Sequence, residues 1–416
     1  MGLSVYVHIP YCLQRCRYCD FTTFEQSEIL PPEKYVGWVV QEIRHRHQMW
    51  PNSEIQTLYF GGGTPSLISP ELIVAISSEL ANVGFTFAKD AELTLEINPA
   101  TLTEEKLERY LRAGFNRFSV GAQTFDNSLL QTCGRRHSAE DTRETLRLLK
   151  KYHLNYSFDL LFALPGQTLA GLKLDLEEVA AFAPPHLSAY CLTVPEGHPM
   201  STGRPPEDDQ VEMFALIERE LLKSDIRKYE ISNFAKPGFE SRHNMAYWRD
   251  VSYWGIGLSS HSYSQEHRPH GLRFWNPKSL TVYGNQVSQR AASFPELLPA
   301  DQWEALAEHE MLTDLCHMFL RTIRGLPDNK IAHKCAPDIQ PRLMSRLASL
   351  KHRGLLQHEG GAWSLTAEGQ LISNRVFAEL TFLREELITR GSKLHPESSL
   401  CRDGLTGEIA ATYCGV

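Results

Sequence analysis

The sequence has no apolar run long enough to cross a bilayer as a helix, which argues against a helical membrane-spanning protein. It also lacks a surplus of positive charge. The 42 Lys and Arg residues stand against 50 Asp and Glu, giving a net charge of −8 and an isoelectric point near 6.1. A dedicated nucleic-acid binder would need the opposite balance. The nine cysteines are odd in number, so a disulfide framework is not expected. Free thiols point to a reducing compartment. No leader of the secretory or transit type precedes the first β-rich run near residue 4, and position 6 is Tyr, not the Ser or Thr of a myristoylation start. A soluble, cytoplasmic protein is expected.

Against these absences stands one dense feature, the run Cys12-Leu-Gln-Arg-Cys16-Arg-Tyr18-Cys19, with spacing C-x3-C-x2-C. Structural zinc takes four ligands, commonly in two spaced pairs, and no second pair follows; Cys133 and Cys191 lie far away and singly. A [4Fe–4S] cluster normally takes four cysteines. Three thiolates in one loop would leave one iron open to a small molecule, so Cys12, Cys16 and Cys19 are the candidate metal ligands.

The chain around this loop alternates strand and helix. β-rich runs occur at Ser4–His8, Thr57–Phe60, Leu93–Glu96, Arg117–Val120, Ser157–Leu161 and Leu187–Leu192. Helical spacing fills the gaps, as at Glu33–Trp50, Glu71–Ala81, Glu104–Ala113, Glu140–Tyr152 and Gly171–Phe182. Such βαβ repetition implies a parallel sheet. Periodicity alone leaves open whether the sheet is doubly wound or curled into a partial barrel.

Tyr6-x-His8-Ile-Pro10, the cysteine loop with Tyr18, and Gly61-Gly62-Gly63-Thr64-Pro65 together resemble the radical S-adenosylmethionine (SAM) enzymes, and within them the oxygen-independent coproporphyrinogen III oxidase group. The similarity runs from about Ser4 to about Leu380. It implies a partial (β/α)6 TIM-like barrel over residues 1–228, with chemistry at the carboxyl ends of the strands. It also carries SAM binding onto Tyr6, Tyr18, Gly62, Gly63, Thr64, Glu96, Gln123, Arg135 and Asp159. The residue types suit that ligand. The glycines let backbone groups approach closely, Glu96 and Arg135 complement an ammonium and a carboxylate, and Gln123 and Asp159 can meet ribose hydroxyls. A cluster-bound SAM is expected to be cleaved by one electron to methionine and a 5′-deoxyadenosyl radical.

One departure matters. Porphyrinogen-oxidising members carry a further cysteine two positions after the third, where this chain has Phe21. Phenylalanine there resembles the HemW-type haem-chaperone branch, which binds haem and hands it to an acceptor protein, thought to be respiratory. His243-Asn-Met-Ala-Tyr247-Trp248, in the extension 229–300, resembles that branch's HNxxYW motif. It makes His243 the candidate haem ligand, with His261 as a competitor. The resemblance allows a homodimer and transient membrane contact, without a transmembrane segment. Oxidative decarboxylation of coproporphyrinogen III is the alternative activity, so whether the chain is an enzyme stays open here.

Residues 301–386 read as a small, mainly helical domain, winged-helix-like, with helical spacing over Trp303–Arg321 and Leu343, Leu347 and Leu350 on a second helix. The segment holds 10 basic and 12 acidic residues, a net of −2, so the footprint of a DNA-binding module is absent and no nucleic-acid partner is expected. Residues 387–416 read as a flexible tail in which Cys401 and Cys414 are incidental.

Overall fold

A computed structural model describes residues 2–289 and 298–387; the expected tail lies, beyond Leu387, outside them. The chain divides into two units, Met1–Ala305 and Leu306–Val416. The first is built on six strands that pair in parallel and in chain order: β1 (Gly2–Ile9), β2 (Glu54–Gly62), β3 (Thr86–Ile97), β4 (Arg117–Gln123), β5 (Asn155–Phe162) and β6 (His186–Cys191). A helix returns each strand to the next. The expected partial barrel is the observed architecture.

The described residues of the extension 229–300 add strands to both edges of this sheet. Tyr253–Ile256 adds a seventh parallel strand beside β1, followed outward by antiparallel His261–Ser264, Leu272–Trp275 and Trp303–Ala305. On the other edge Asn233–Ala235 runs antiparallel to β6. Both flanks therefore belong to one twelve-stranded sheet. The helical spacing expected from Trp303 begins only at Glu308.

The helices start where the sequence supplies caps. Pro32 and Pro70 occupy first-turn positions, Thr103 and Thr168 accept from backbone amides, and Ser138 with Asp141 forms a capping box. One face of each strand is apolar and packs on these helices. Val5, Val7, Leu58, Phe60, Leu95, Phe118, Val120, Phe158 and Leu160 join Val36, Val39, Ile43, Ile73, Ile76 and Leu80 in one continuous core. The alternate positions, among them Tyr6, His8, Tyr59, Glu96, Ser119 and Asp159, face inward and are largely polar.

The second unit holds helices Glu308–Arg321, Asp328–Lys334 and Gln340–His352, with Leu326–Pro327 completing a three-stranded antiparallel sheet. Its hairpin, Leu356–Glu359 with Ala362–Leu365, turns through Gly360 and Gly361 at φ 58° and 75°, values that favour glycine. Leu343, Leu347 and Leu350 are buried, as their spacing predicts.

A buried ion pair fastens the extension to the barrel. Arg46 donates to Glu42 (2.7 Å), whose carboxylate also accepts from Asn276, Tyr283 and the Gly257 amide. Removing one partner of such a pair strands the other in low dielectric. Glu42→Ala is therefore expected to cost about 3–5 kcal/mol of unfolding free energy, read as a lower denaturant midpoint for the first unit; an unchanged midpoint would contradict this account.

Candidate functional site

Cys12, Cys16, Tyr18 and Cys19 lie in the loop after β1, Gly62, Gly63 and Thr64 at or just past the end of β2, Glu96 and Gln123 at the ends of β3 and β4, and Arg135 beyond β4; Tyr6 and Asp159 lie within β1 and β5, and His243 and His261 lie outside the six barrel strands. The end of β2 lies directly on the end of β1. Gly63 N donates to Ile9 O (2.8 Å) and Thr64 N to Tyr11 O (2.7 Å). A Cβ on Gly63 would stand 2.6 Å from Tyr11 O, and one on Gly62 would stand 2.4 Å from the His8 ring. Gly62 also has φ 105°. No larger residue fits this contact without moving backbone.

The cysteine loop leaves β1 beside these glycines. The Thr23 and Thr64 hydroxyls lie by the Cys12 thiol and favour its ionised form, and Thr23 Oγ1 is 3.9 Å from Cys19 Sγ. Burial pushes the Cys12 thiol up to about 11, and the nearby Cys19 and Cys16 sulfurs add to the shift. Burial likewise raises Cys19. His8 fastens the far end of the loop. Its Nε2 donates to the Thr22 carbonyl (2.9 Å) and its Nδ1 accepts from the Tyr6 hydroxyl (3.1 Å). Thr22 in turn donates to Ser259 (3.1 Å) in the extension.

The loop after β4 closes over the other side. Arg17 N donates to Cys133 O (2.9 Å) and Arg136 to Gln14 (2.7 Å). Arg135 points a guanidinium nitrogen at Cys16 Sγ (3.4 Å) and another at Gly121 O (2.6 Å). Its Nε donates to His137 Nδ1 (3.3 Å), and among the described residues it forms no ion pair with a carboxylate. Tyr18 packs against the apolar cluster of Leu129, Cys133, Leu161, Leu164, Leu192 and Met200, holding the loop to the barrel rim. Phe21, by contrast, is 40% exposed.

Inside the barrel Glu96 accepts from Tyr59 OH (2.7 Å) and from Gly62 N (3.2 Å). Burial raises its carboxyl to about 7. Asp159 is raised by burial to about 6, against hydrogen bonds from Ser188 and Ser119. Tyr6, Gly62, Glu96, Gly121, Asp159 and Tyr190 all remain partly accessible while their chain neighbours are mostly buried, so they line a lumen. Gln123 ends β4 at φ 66°, outside the usual range for a side chain of its size.

His243 lies on the short helix Arg242–Trp248, fully buried. Its Nδ1 is 2.7 Å from Thr57 Oγ1 and its Nε2 3.0 Å from Tyr247 OH, so both ring nitrogens are engaged. The ring stacks on Tyr59 at 4.9 Å. His261 is exposed and stacks on Trp275 at 5.8 Å. The sequence reading missed Tyr59, His8 and Thr23. Tyr59 was open to discovery, because period-two alternation from Gly61 places it in the lumen.

A model of the radical SAM superfamily matches residues 6–179. Among curated proteins, the haem chaperone HemW of Bacillus subtilis is 32% identical over 383 residues, covering 90% of this chain and 98% of that protein. HemW of Escherichia coli is 36% identical over 265 residues, covering 62% of this chain and 69% of its own. Among solved structures, coproporphyrinogen III oxidase (HemN) from Escherichia coli superposes with a TM-score of 0.77 at 22% identity, covering 91% of this chain and 90% of that one. That likeness is one of fold.

The Glu96 shift gives a pH signature. Its folded value, about 7, lies above the ordinary 4.5, so the folded state holds the proton longer. Its contribution to stability is complete below pH 4.5 and is lost as pH rises through 7. Glu96→Gln, which stays neutral, is expected to gain on wild type across that window by on the order of 1–3 kcal/mol and to run parallel above it. Parallel melting curves from pH 4.5 to 8 would refute the assignment.

Proposed function

Since the chain belongs to the radical SAM superfamily and, within it, to the HemW family of haem chaperones, we propose that it binds haem and transfers it to an acceptor protein, with a [4Fe–4S] cluster and SAM as its cofactors. Cys12, Cys16 and Cys19 are the proposed cluster ligands. The observation that carries this is the Arg135 guanidinium held on Cys16 Sγ beside two further thiols: fixed positive charge suits an anionic iron–thiolate centre.

SAM would be held by the lumen. Glu96 offers a carboxylate for its ammonium, the Gly62–Gly63 backbone and Thr64 line the approach, and Arg135 stands ready for a carboxylate. Gln123 and Asp159 face the same space as partners for ribose hydroxyls, with Tyr6 and Tyr18 shaping its walls. When bound, such a cluster supplies one electron to the sulfonium at its open iron. The protein's own part is to orient the ligand and exclude water.

For haem, His243 is the proposed iron ligand, its Nε2 now covered by Tyr247. Among the described residues no helix is long and apolar enough to cross a membrane. A cytoplasmic location, a respiratory acceptor, transient membrane contact and a homodimer belong to the proposal. Phe21 argues against coproporphyrinogen oxidation, since a phenyl ring cannot replace a thiol.

Two measurements test this reading. After anaerobic reconstitution, Cys12→Ala, Cys16→Ala and Cys19→Ala are each expected to lose the cluster's iron and visible absorption; full iron retention in all three would overturn the ligand set. With coproporphyrinogen III, SAM and a reductant, the wild-type protein is expected to form no protoporphyrinogen, and its formation would reinstate the oxidase.

A further inference from the structure

The imidazole of His243 touches the SAM site through one intervening side chain. Its ring stacks on Tyr59 at 4.9 Å with an interplanar angle of 22°. The Tyr59 hydroxyl donates to Glu96 Oε1 at 2.7 Å, and the other carboxylate oxygen accepts from Gly62 N. Tyr6 lies 6.1 Å from Tyr59 and 6.4 Å from His243, so the three rings form one cluster. Histidine, tyrosine and carboxylate thus form a file of direct contacts from helix Arg242–Trp248 to the lumen.

The helix that carries His243 is itself pinned. The Arg242 and His243 amides each donate to Glu92 at 3.0 Å. Thr57, on β2 two residues before Tyr59, meets Nδ1, and Tyr247 one turn along the helix meets Nε2. If Nδ1–H donates to Thr57, Nε2 keeps the lone pair that an iron needs, and the Tyr247 hydroxyl covers it. Iron entering at Nε2 must displace that hydroxyl. A macrocycle bound there stands across the imidazole plane and spreads over the tyrosine stacked beside it.

We propose that haem and SAM compete for the arrangement of this file: haem on His243 shifts Tyr59, Glu96 loses its hydroxyl donor, and SAM is held less tightly. His243 and Tyr59 are then positioning residues for the SAM site, with His243 also the haem ligand. The inference rests on the proposed ligation by His243. By linkage the effect is mutual, so SAM arrival weakens haem to the same degree. SAM would thereby act as a release signal for the cargo. No covalent bond within the protein is broken: haem binding exchanges the Tyr247 hydrogen bond on Nε2 for iron and costs the Tyr59–Glu96 hydrogen bond, and release restores both.

The test uses the full chain, anaerobically reconstituted, with SAM affinity measured by equilibrium dialysis and haem affinity by Soret titration. Haem-loaded protein is expected to bind SAM roughly tenfold to a hundredfold more weakly than haem-free protein, the scale of one hydrogen bond to a charged group. Saturating SAM should weaken haem by the same factor. In Tyr59→Phe, SAM should bind weakly with or without haem, and the ratio should fall to near one. A ratio unchanged in Tyr59→Phe would mean direct collision of the two ligands and would overturn the proposal, as would equal SAM affinities in haem-free and haem-loaded wild type. Tyr247→Phe uncovers Nε2 and is expected to bind haem more tightly, a gain that a folding defect cannot imitate; no gain counts against the covered lone pair. Should His243→Ala bind haem as wild type does, the ligand assignment itself fails, independently of the SAM ratio.

Discussion

The site depends on one close backbone contact, where the end of β2 lies against the end of β1 and the start of the cysteine loop. Gly63 N to Ile9 O and Thr64 N to Tyr11 O are ordinary hydrogen bonds of 2.8 and 2.7 Å, but they exist only because positions 62 and 63 carry hydrogen in place of a side chain. From that contact the rest follows in order. Thr64 reaches Cys12, Gly62 offers its amide to Glu96, and His8 spans from Tyr6 to the Thr22 carbonyl. Sulfur, carboxylate and glycine backbone meet at one barrel rim because two strands end side by side, Ile9 paired with Gly62.

The lumen is expensive to build. Glu96 and Asp159 are both held well above the usual carboxylate range by burial, and Gln123 adopts a backbone conformation most residues avoid. These features work against folding, and the apolar outer faces of the same strands offset them. Strain and desolvation concentrated at one end of a sheet mark a surface shaped for a ligand that is absent during folding. An ammonium group entering beside Glu96 would relieve part of that cost, which gives the proposed SAM site a physical reason for its affinity.

Much of this was legible in the sequence because the signals are local. The alternation of β-rich runs with helical spacing placed most strands and helices to within a few residues. The C-x3-C-x2-C spacing and the glycine run identified the rim. What was hidden depends on register between distant segments. Tyr253–Ile256 pairs with β1 across roughly 250 positions, so nothing in its own four residues announces a seventh parallel strand. The first residues of β3, Thr86–Asp90, mix Lys and Asp into a strand, and only pairing of Thr86 and Phe87 with β2 explains them. Alternation along β2 puts Tyr59 in the lumen, but aromatic residues on strands are usually core, and only the position of Glu96 gives this one a task.

His243 illustrates why motif and geometry must be weighed together. The motif offers a histidine to iron, yet the fold surrounds that histidine with partners of its own. For a chaperone the two statements are compatible. A protein that must surrender its cargo gains from a ligand whose vacated nitrogen is at once reclaimed, since a buried ring left without a partner would oppose release. Under the proposed ligation, Tyr247, one helical turn from His243, is placed to reclaim Nε2, while Thr57 holds Nδ1. An oxidase that retains its porphyrin until chemistry is complete has no need of such a device. The same barrel with Phe21 at its rim and a covered imidazole in its core is better suited to exchange than to turnover.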